Sequence, residues 1–403
     1  MDLGLIALIF IAALLGPALT MLTRGALPAV IGELLAGVVL GSTALGIIDP
    51  TKSDLALLYN LGFATLMFTV GMRVPLHDER VRGALRSGAV AVLAAIPLAF
   101  GSGLLAHLVG GGPALIYAVV IVSSSAAVAL PVIDEQSLTG PAVLAAMAWI
   151  TIADVLATLA VPLAIKPSRA GHAALGALIV AAAVAAVFVA GHWLSDRDEV
   201  KRIRKEGKHR GWAIDLRVAL IVLVGLSFIA QKVGASLLVA GFGTGLVVGA
   251  LGGPKRLSQE VLGLGQGFLV PLFFVLLGAR IDLRQLTSSY RTVLLAVLLL
   301  VLAVAVHVAA SAVIRAPRAV GLLASAQVGV PAAVIALGLP AHALTEGQAS
   351  AIFCAALVSV AVSAGGAALL RQKRSPGAAA PTAAPSRAAP RATTARPRRR
   401  ADR

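Results

Sequence analysis

Runs of about twenty apolar residues recur along almost the whole chain, and nothing else constrains its fold as strongly. A helix needs about 20 such residues to cross the hydrocarbon core of a bilayer. Backbone inside lipid must satisfy its own hydrogen bonds, which leaves helices or closed barrels. Read as helices, the runs predict thirteen crossings, at about residues 3–22, 27–46, 54–72, 83–109, 114–133, 140–165, 172–194, 213–231, 234–252, 257–279, 288–314, 317–340 and 344–370. Only Gly252, Gly253, Pro254 and Lys255 separate the ninth from the tenth. The 403 residues are 59% hydrophobic and 13% charged, with a mean hydropathy of +0.94, more apolar surface than a soluble domain could hide. The expectation is an all-α polytopic membrane protein. Its first run has no basic flank before it and is long for a cleaved leader, so it reads as a retained helix.

Charge gives the orientation. Alternate connections are basic: Arg24; then Arg73, Arg80, Arg82 and Arg86; then Arg197 and a cluster from Lys201 to Arg210; then Lys255 and Arg256; then Arg315 and Arg318. The opposite connections carry little beyond Lys52, Lys166, Arg169, Lys232, Arg280 and Arg284. Basic loops stay cytoplasmic, so the N-terminus is expected outside a cell membrane and the C-terminus in the cytoplasm. Residues 195–212 read as a short charged connection. A transmembrane domain over residues 1–371 is followed at 372–403 by Ala, Pro, Arg and Thr without periodicity, read as a disordered basic tail. Its Arg398-Arg399-Arg400 cluster is either solvated or held against anionic lipid headgroups. The net charge of +16 follows from topology and tail, and needs no nucleic-acid partner. A single cysteine, Cys354, excludes a disulfide framework. No G-x-G-x-x-G follows a strand pattern, so no nucleotide-binding regulatory domain is expected in these residues.

Asp154 stands alone among Ala, Val, Leu and Ile near the middle of the sixth run. A carboxylate at that depth costs about 2.5–3.5 kcal/mol on insertion scales and is by default an ion- or proton-handling group. The alternative is a structural Asp bonded to a neighbouring helix. Ser123, Ser124 and Ser125 interrupt the fifth run, and Gln327, Val328, Gly329, Val330 and Pro331 interrupt the twelfth. Paired interruptions in corresponding runs of two halves are the pattern of discontinuous helices meeting at a midplane site. For the serines alone, back-bonding inside an intact helix is the competing reading. His307, in the eleventh run, is either functional or a packed, hydrogen-bonded histidine.

Several segments resemble one family. Leu27 to Gly41 (LPAVIGELLAGVVLG), Leu61 to Met72 (LGFATLMFTVGM), Val122 to Pro131 (VSSSAAVALP), Val233 to Gly245 (VGASLLVAGFGTG) and Pro271 to Gly278 (PLFFVLLG) with Asp282-Leu283 are similar to segments of monovalent cation:proton antiporters, the Kef-type and bacterial sodium/proton exchanger superfamily. Each is a weak apolar pattern; in this order from about residue 5 to 370 they are specific.

The resemblance implies two inverted five-helix repeats, a transport bundle in which two discontinuous helices cross, and a second bundle that makes a homodimer. It puts Ser123, Gln327, Gly329 and Pro331 at the crossing, and Asp154 on the family's ion-binding aspartate, with Ser124 and Ser125 as oxygen ligands for a hard monovalent cation. Ala153 departs from the Asn, Asp or Gln usual before that aspartate. His307, eight residues before Arg315, falls on the position of a family lysine, as a charge partner or pH sensor. Val330 replaces the acid of the Kef-type pattern, and Glu33 matches a family glutamate expected to be structural, near the dimer-side bundle, with ion binding as the alternative.

The function expected is antiport of a monovalent cation (Na⁺, K⁺ or Li⁺) for protons by alternating access, with one carboxylate holding either ion. The partners expected are the two ions, membrane lipid and a second copy of the chain, with no cofactor and no enzyme activity. A sodium-coupled organic-anion symporter of related fold and a Kef-like potassium-efflux subunit remain as alternatives. Intramembrane proteases are excluded by motif: aspartyl types need two intramembrane Asp residues, and rhomboid types need G-x-S-G.

Overall fold

The computed structural model describes residues 3–23, 28–49, 52–72, 79–136, 138–167, 170–195, 197–233, 235, 237–251 and 263–372. Among them the chain is helical, with no strand. In order come α1 (Leu3–Ala13), α2 (Leu15–Leu22), α3 (Ala29–Leu40), α4 (Ser53–Met72), α5 (Glu79–Gly110), α6 (Ala114–Val122), α7 (Ala126–Glu135), α8 (Pro141–Ile165) and α9 (Ala170–Ser195). Then follow α10 (Asp198–His209), α11 (Ile214–Lys232), α12 (Leu237–Ala250), a π-helical turn at Gly265–Leu269 leading into α13 (Val270–Ala279), α14 (Arg284–Thr287), α15 (Tyr290–Val313), α16 (Arg318–Ala324), α17 (Gly329–Gly338) and α18 (Glu346–Gln372).

Among the described residues nine helical stretches are long and apolar enough to cross a membrane, and α3 and α12 are shorter apolar helices. A total of thirteen requires counting these two with the interrupted stretches at 114–135 and 265–279. The charged connection at 195–212 differs from its reading as a loop, because residues 198–209 form α10. Asp198 and Glu199 occupy its first turn, where the helix dipole favours acids, and Glu206 pairs with Arg210 at 2.8 Å one turn on. The tail beyond Gln372, the cluster at 398–400 and residues 252–262 lie outside the described residues.

The helices sort into two bundles. In one, α5 packs on α6, α8 and α15, while α16, α17 and α18 close around them. In the other, α3 packs on α2 and α13, and α4 on α12, with α9 and α11 outside. Between the bundles contact is sparse, limited mainly to α8 against α9 and α12.

The second bundle is held by two crossings built alike. A Cβ on Gly37 of α3 would strike the carbonyl of Val275, and one on Gly278 of α13 would strike the carbonyl of Leu34. A Cβ on Gly71 of α4 would strike the carbonyl of Phe242, and one on Gly245 of α12 that of Phe68. In each case the carbonyl lies three residues before the facing glycine. Gly241 meets Ala64, Gly245 meets Phe68 and Gly249 meets Met72, so α4 and α12 advance together and run parallel. Membrane helices gain little from hydrophobic exclusion and associate through such close backbone approach. Each crossing pairs a helix of the first half of the chain with one of the second half, so the same device joins the halves twice.

Candidate ion-binding site

Serine makes the first interruption. α6 ends at Val122, Ser123 is extended (φ −70°, ψ 148°), and α7 starts at Ala126. Intact-helix back-bonding is therefore not what the triplet does. Ser123 Oγ donates to the Val120 carbonyl at 2.7 Å, closing the end of α6. The Ser325 hydroxyl does the same for α16, donating to Leu322 at 2.8 Å. The second break spans residues 325–328, just before the stretch centred on Gly329. Gly329 and Pro331 fall in the first turn of α17, where a missing N–H is tolerated.

Gln327 ties the breaks together. Its Nε2 donates to the carbonyls of Ile121 (3.3 Å) and Ser123 (3.4 Å), two of those left over at the end of α6. Its own backbone N–H donates to Ser359 Oγ at 2.9 Å. The two interruptions are thus neighbours.

Asp154 lies on α8 with 4% of its surface exposed. Its Oδ2 accepts from the Ala126 backbone N–H at 3.0 Å. That N–H belongs to the first turn of α7, the end where helix dipole and unpaired donors favour an anion. No basic side chain pairs with Asp154 among the described residues.

A cavity of about 400 Å³ opens onto this carboxylate. From the first bundle it is lined by Asp154 and Thr158 of α8, Ser125 and Val128 at the head of α7, and Gly329 of α17. From the second it is lined by Thr20, Glu33, Thr69, Val70 and Phe274. It therefore occupies the seam between the bundles. Its lining reaches the ends of α2, α3 and α4 that lead to residues 24–27 and 73–78. Elsewhere the seam is apolar, with Leu34 and Leu277 against Pro331, Ile335 and Phe353.

The residues singled out from sequence separate here. Asp154, Ser125 and Gly329 line the cavity; Ser123, Ser124, Gln327, Pro331 and His307 do not. Ser125 Oγ is buried with no hydrogen-bond partner among the described residues. Ser124 Oγ is instead 3.2 Å from His307 Nε2. His307 is fully buried, its Nδ1 is 2.8 Å from the Ala303 carbonyl, and its ring stacks on Trp149 at 5.4 Å. A nitrogen facing a carbonyl must donate, so Nδ1 carries the proton. A neutral ring then accepts the Ser124 hydroxyl at Nε2, and both contacts are met. Gly321 of α16 packs directly on the His307 backbone, which fixes this corner. Glu33 belongs to the cavity wall, which the sequence reading did not give it. The available signal was the one that flagged Asp154, an acid inside an apolar run. No group of three or more His, Cys, Asp or Glu able to hold a metal occurs among the described residues.

Comparison with known proteins converges on one family. The family model described as "Sodium/hydrogen exchanger, transmembrane" matches residues 6–370. K(+) efflux antiporter 1, chloroplastic, of Arabidopsis thaliana is 30% identical over 282 residues, 65% of this chain and 23% of that protein. The glutathione-regulated potassium-efflux system protein KefC of Klebsiella pneumoniae subsp. pneumoniae is 27% identical over 304 residues, 72% of this chain and 47% of that one. The chain thus spans less than half the length of these two relatives. In fold it is similar to the sodium proton antiporter MjNhaP1 of Methanocaldococcus jannaschii, with a TM-score of 0.63, 19% identity, and coverage of 92% of this chain and 98% of that one.

Proposed function

Because the chain belongs to the transmembrane sodium/hydrogen exchanger family, a family of transporters rather than enzymes, we propose that it exchanges a monovalent cation for protons at Asp154. The observation that carries this reading is a buried carboxylate with no basic partner among the described residues, hydrogen-bonded to a half-helix start, on a cavity in the seam between two bundles. A bare carboxylate in apolar surroundings is costly unless neutralised. Here either a proton or a cation does it. The two ions compete for one group, and that competition couples their movements.

Ser125 Oγ and the Asp154 carboxylate supply oxygen ligands to the cation. Ser124 acts differently, anchoring the neutral His307. With His307 uncharged throughout, one proton moves per cation and transport is electroneutral. Alternating access comes from sliding of one bundle against the other, which the sparse contact between them permits. The cavity lies on the side of the basic connections, so this is the inward-open arrangement in a cell membrane, with the apolar seam at Leu34, Leu277 and Phe353 closing the outer route. The second bundle forms the homodimer contact.

An organic-anion symporter fits less well. Among the described residues the cavity wall offers an anion two acids, Asp154 and Glu33, and no basic side chain. The test is a proteoliposome assay with a pH-sensitive dye, adding Na⁺, Li⁺ or K⁺ in turn. At least one of these cations is expected to move protons across the membrane. Organic-anion uptake with no cation-driven proton movement would overturn the reading.

A further inference from the structure

Glu33 shares the cavity with Asp154 but belongs to the other bundle. It sits one turn into α3, is 5% exposed, and has no hydrogen-bond or ion-pair partner among the described residues. Gly16 of α2 leaves room for it, since a Cβ there would come within 2.8 Å of Glu33 Cγ. The helices packed on α3 offer it no counter-charge: residues 3–13, 15–22 and 270–279 contain no ionisable side chain. Asp154 is the only other acid or base on the cavity wall among the described residues. A buried, unpaired acid is tolerated only if it holds a proton or a cation. Ser125 Oγ, also buried and unpartnered, faces the same space.

We propose that Glu33 is a second ion-exchanging carboxylate, a loading station for cation and proton between the cavity mouth and Asp154. This rests on the antiport reading above. Glu33 releases its proton to cavity water as a cation enters, and takes one back when the cation leaves by the same mouth. α3 is locked to α13 through Gly37, Gly41 and Gly278, so Glu33 stays with its own bundle while Asp154 moves with the other. The Glu33 proton therefore returns to the side it came from and adds nothing to the stoichiometry. What Glu33 sets is how readily the cation loads, and how loading depends on pH.

The test uses everted membrane vesicles, which present the cavity face to the medium, and reads proton flux against cation concentration at several pH values. Glu33→Gln is expected to raise the apparent KM for the cation about tenfold, the effect of losing about 1.4 kcal/mol of binding, and to flatten its pH dependence. kcat is expected to stay within about twofold of wild type, and Glu33→Asp to restore the KM. An unchanged KM and pH profile in a well-inserted Glu33→Gln protein overturns the proposal. If Glu33→Gln does not insert, the wild type decides through a hydrophobic carbodiimide, which reacts with protonated carboxyls, and mass spectrometry. Labelling of Glu33 that saturating cation suppresses supports the proposal; labelling indifferent to cation, or absent, refutes it. Loss of wild-type flux, or flux retained by Asp154→Asn, would instead count against the antiport reading itself.

Discussion

The backbone N–H of Ala126 donates to Asp154 Oδ2 at 3.0 Å. One hydrogen bond thus joins the start of a broken helix to a carboxylate 28 residues further along the chain. It makes the break and the acid one unit, since α7 can offer a free N–H there only because α6 ended four residues earlier, at Val122.

His307 is the next point of test. Its ring is held between the Ala303 carbonyl and the Ser124 hydroxyl, stacked on Trp149, away from the cavity. Solid-supported membrane electrophysiology on the wild type is expected to show no charge displacement attributable to turnover on a cation jump. A robust current that disappears in His307→Ala would make His307 a second proton carrier. His307→Ala should lower stability by about 1–3 kcal/mol, because the Ser124 hydroxyl loses its partner and a buried ring is removed. The check is thermal unfolding in detergent.

The glycine crossings give a prediction about assembly. Gly245→Val places a side chain against the Phe68 carbonyl, and backbone cannot move aside as a flexible side chain can. Overpacking of this kind costs about 1–3 kcal/mol, and the melting temperature of the purified protein is expected to fall. Gly101→Ala and Gly225→Ala, where a Cβ meets nothing within 4 Å, should leave it unchanged or slightly raised. Equal effects at all three positions would remove the case for a special α4–α12 contact.

The acids and breakers were legible in the sequence; the partnerships were not. Asp154 announced itself by its apolar surroundings, and Ser123 to Ser125 by interrupting a run that had length enough to cross. Gly241, Gly245 and Gly249 recur every fourth residue, which foretells one close-packed face but not which helix meets it. What one dimension could not carry was the sorting of like residues into different tasks. Ser124 and Ser125 are adjacent, yet one holds His307 and the other faces the cavity, because the chain turns between two half-helices there. Glu33 passed for structural because its run resembles a packing helix on every other side, and only the folded seam brings it beside Asp154. α10 was missed because a membrane reading treats charge as loop, whereas Glu206 and Arg210 are well spaced for a surface helix.

The basic tail is expected to be dispensable for transport. Residues 372–403 carry no apolar periodicity. Truncation after Arg371 should leave cation-driven proton flux within about twofold, since a sequence of that composition offers no apolar face for the transport bundle. Complete loss in a well-inserted truncate would make the tail a working element.

The central claim is that one carboxylate carries both ions, and Asp154→Asn tests it most directly. The amide keeps the size of the side chain, and its oxygen can still accept from Ala126, so the fold should survive. What it loses is the charge that a proton or a cation must neutralise. In proteoliposomes with a pH-sensitive dye, cation addition should move protons in the wild type and leave the Asp154→Asn signal at the level of empty liposomes, with an unchanged elution profile in detergent. Exchange by Asp154→Asn at the wild-type rate would contradict the account.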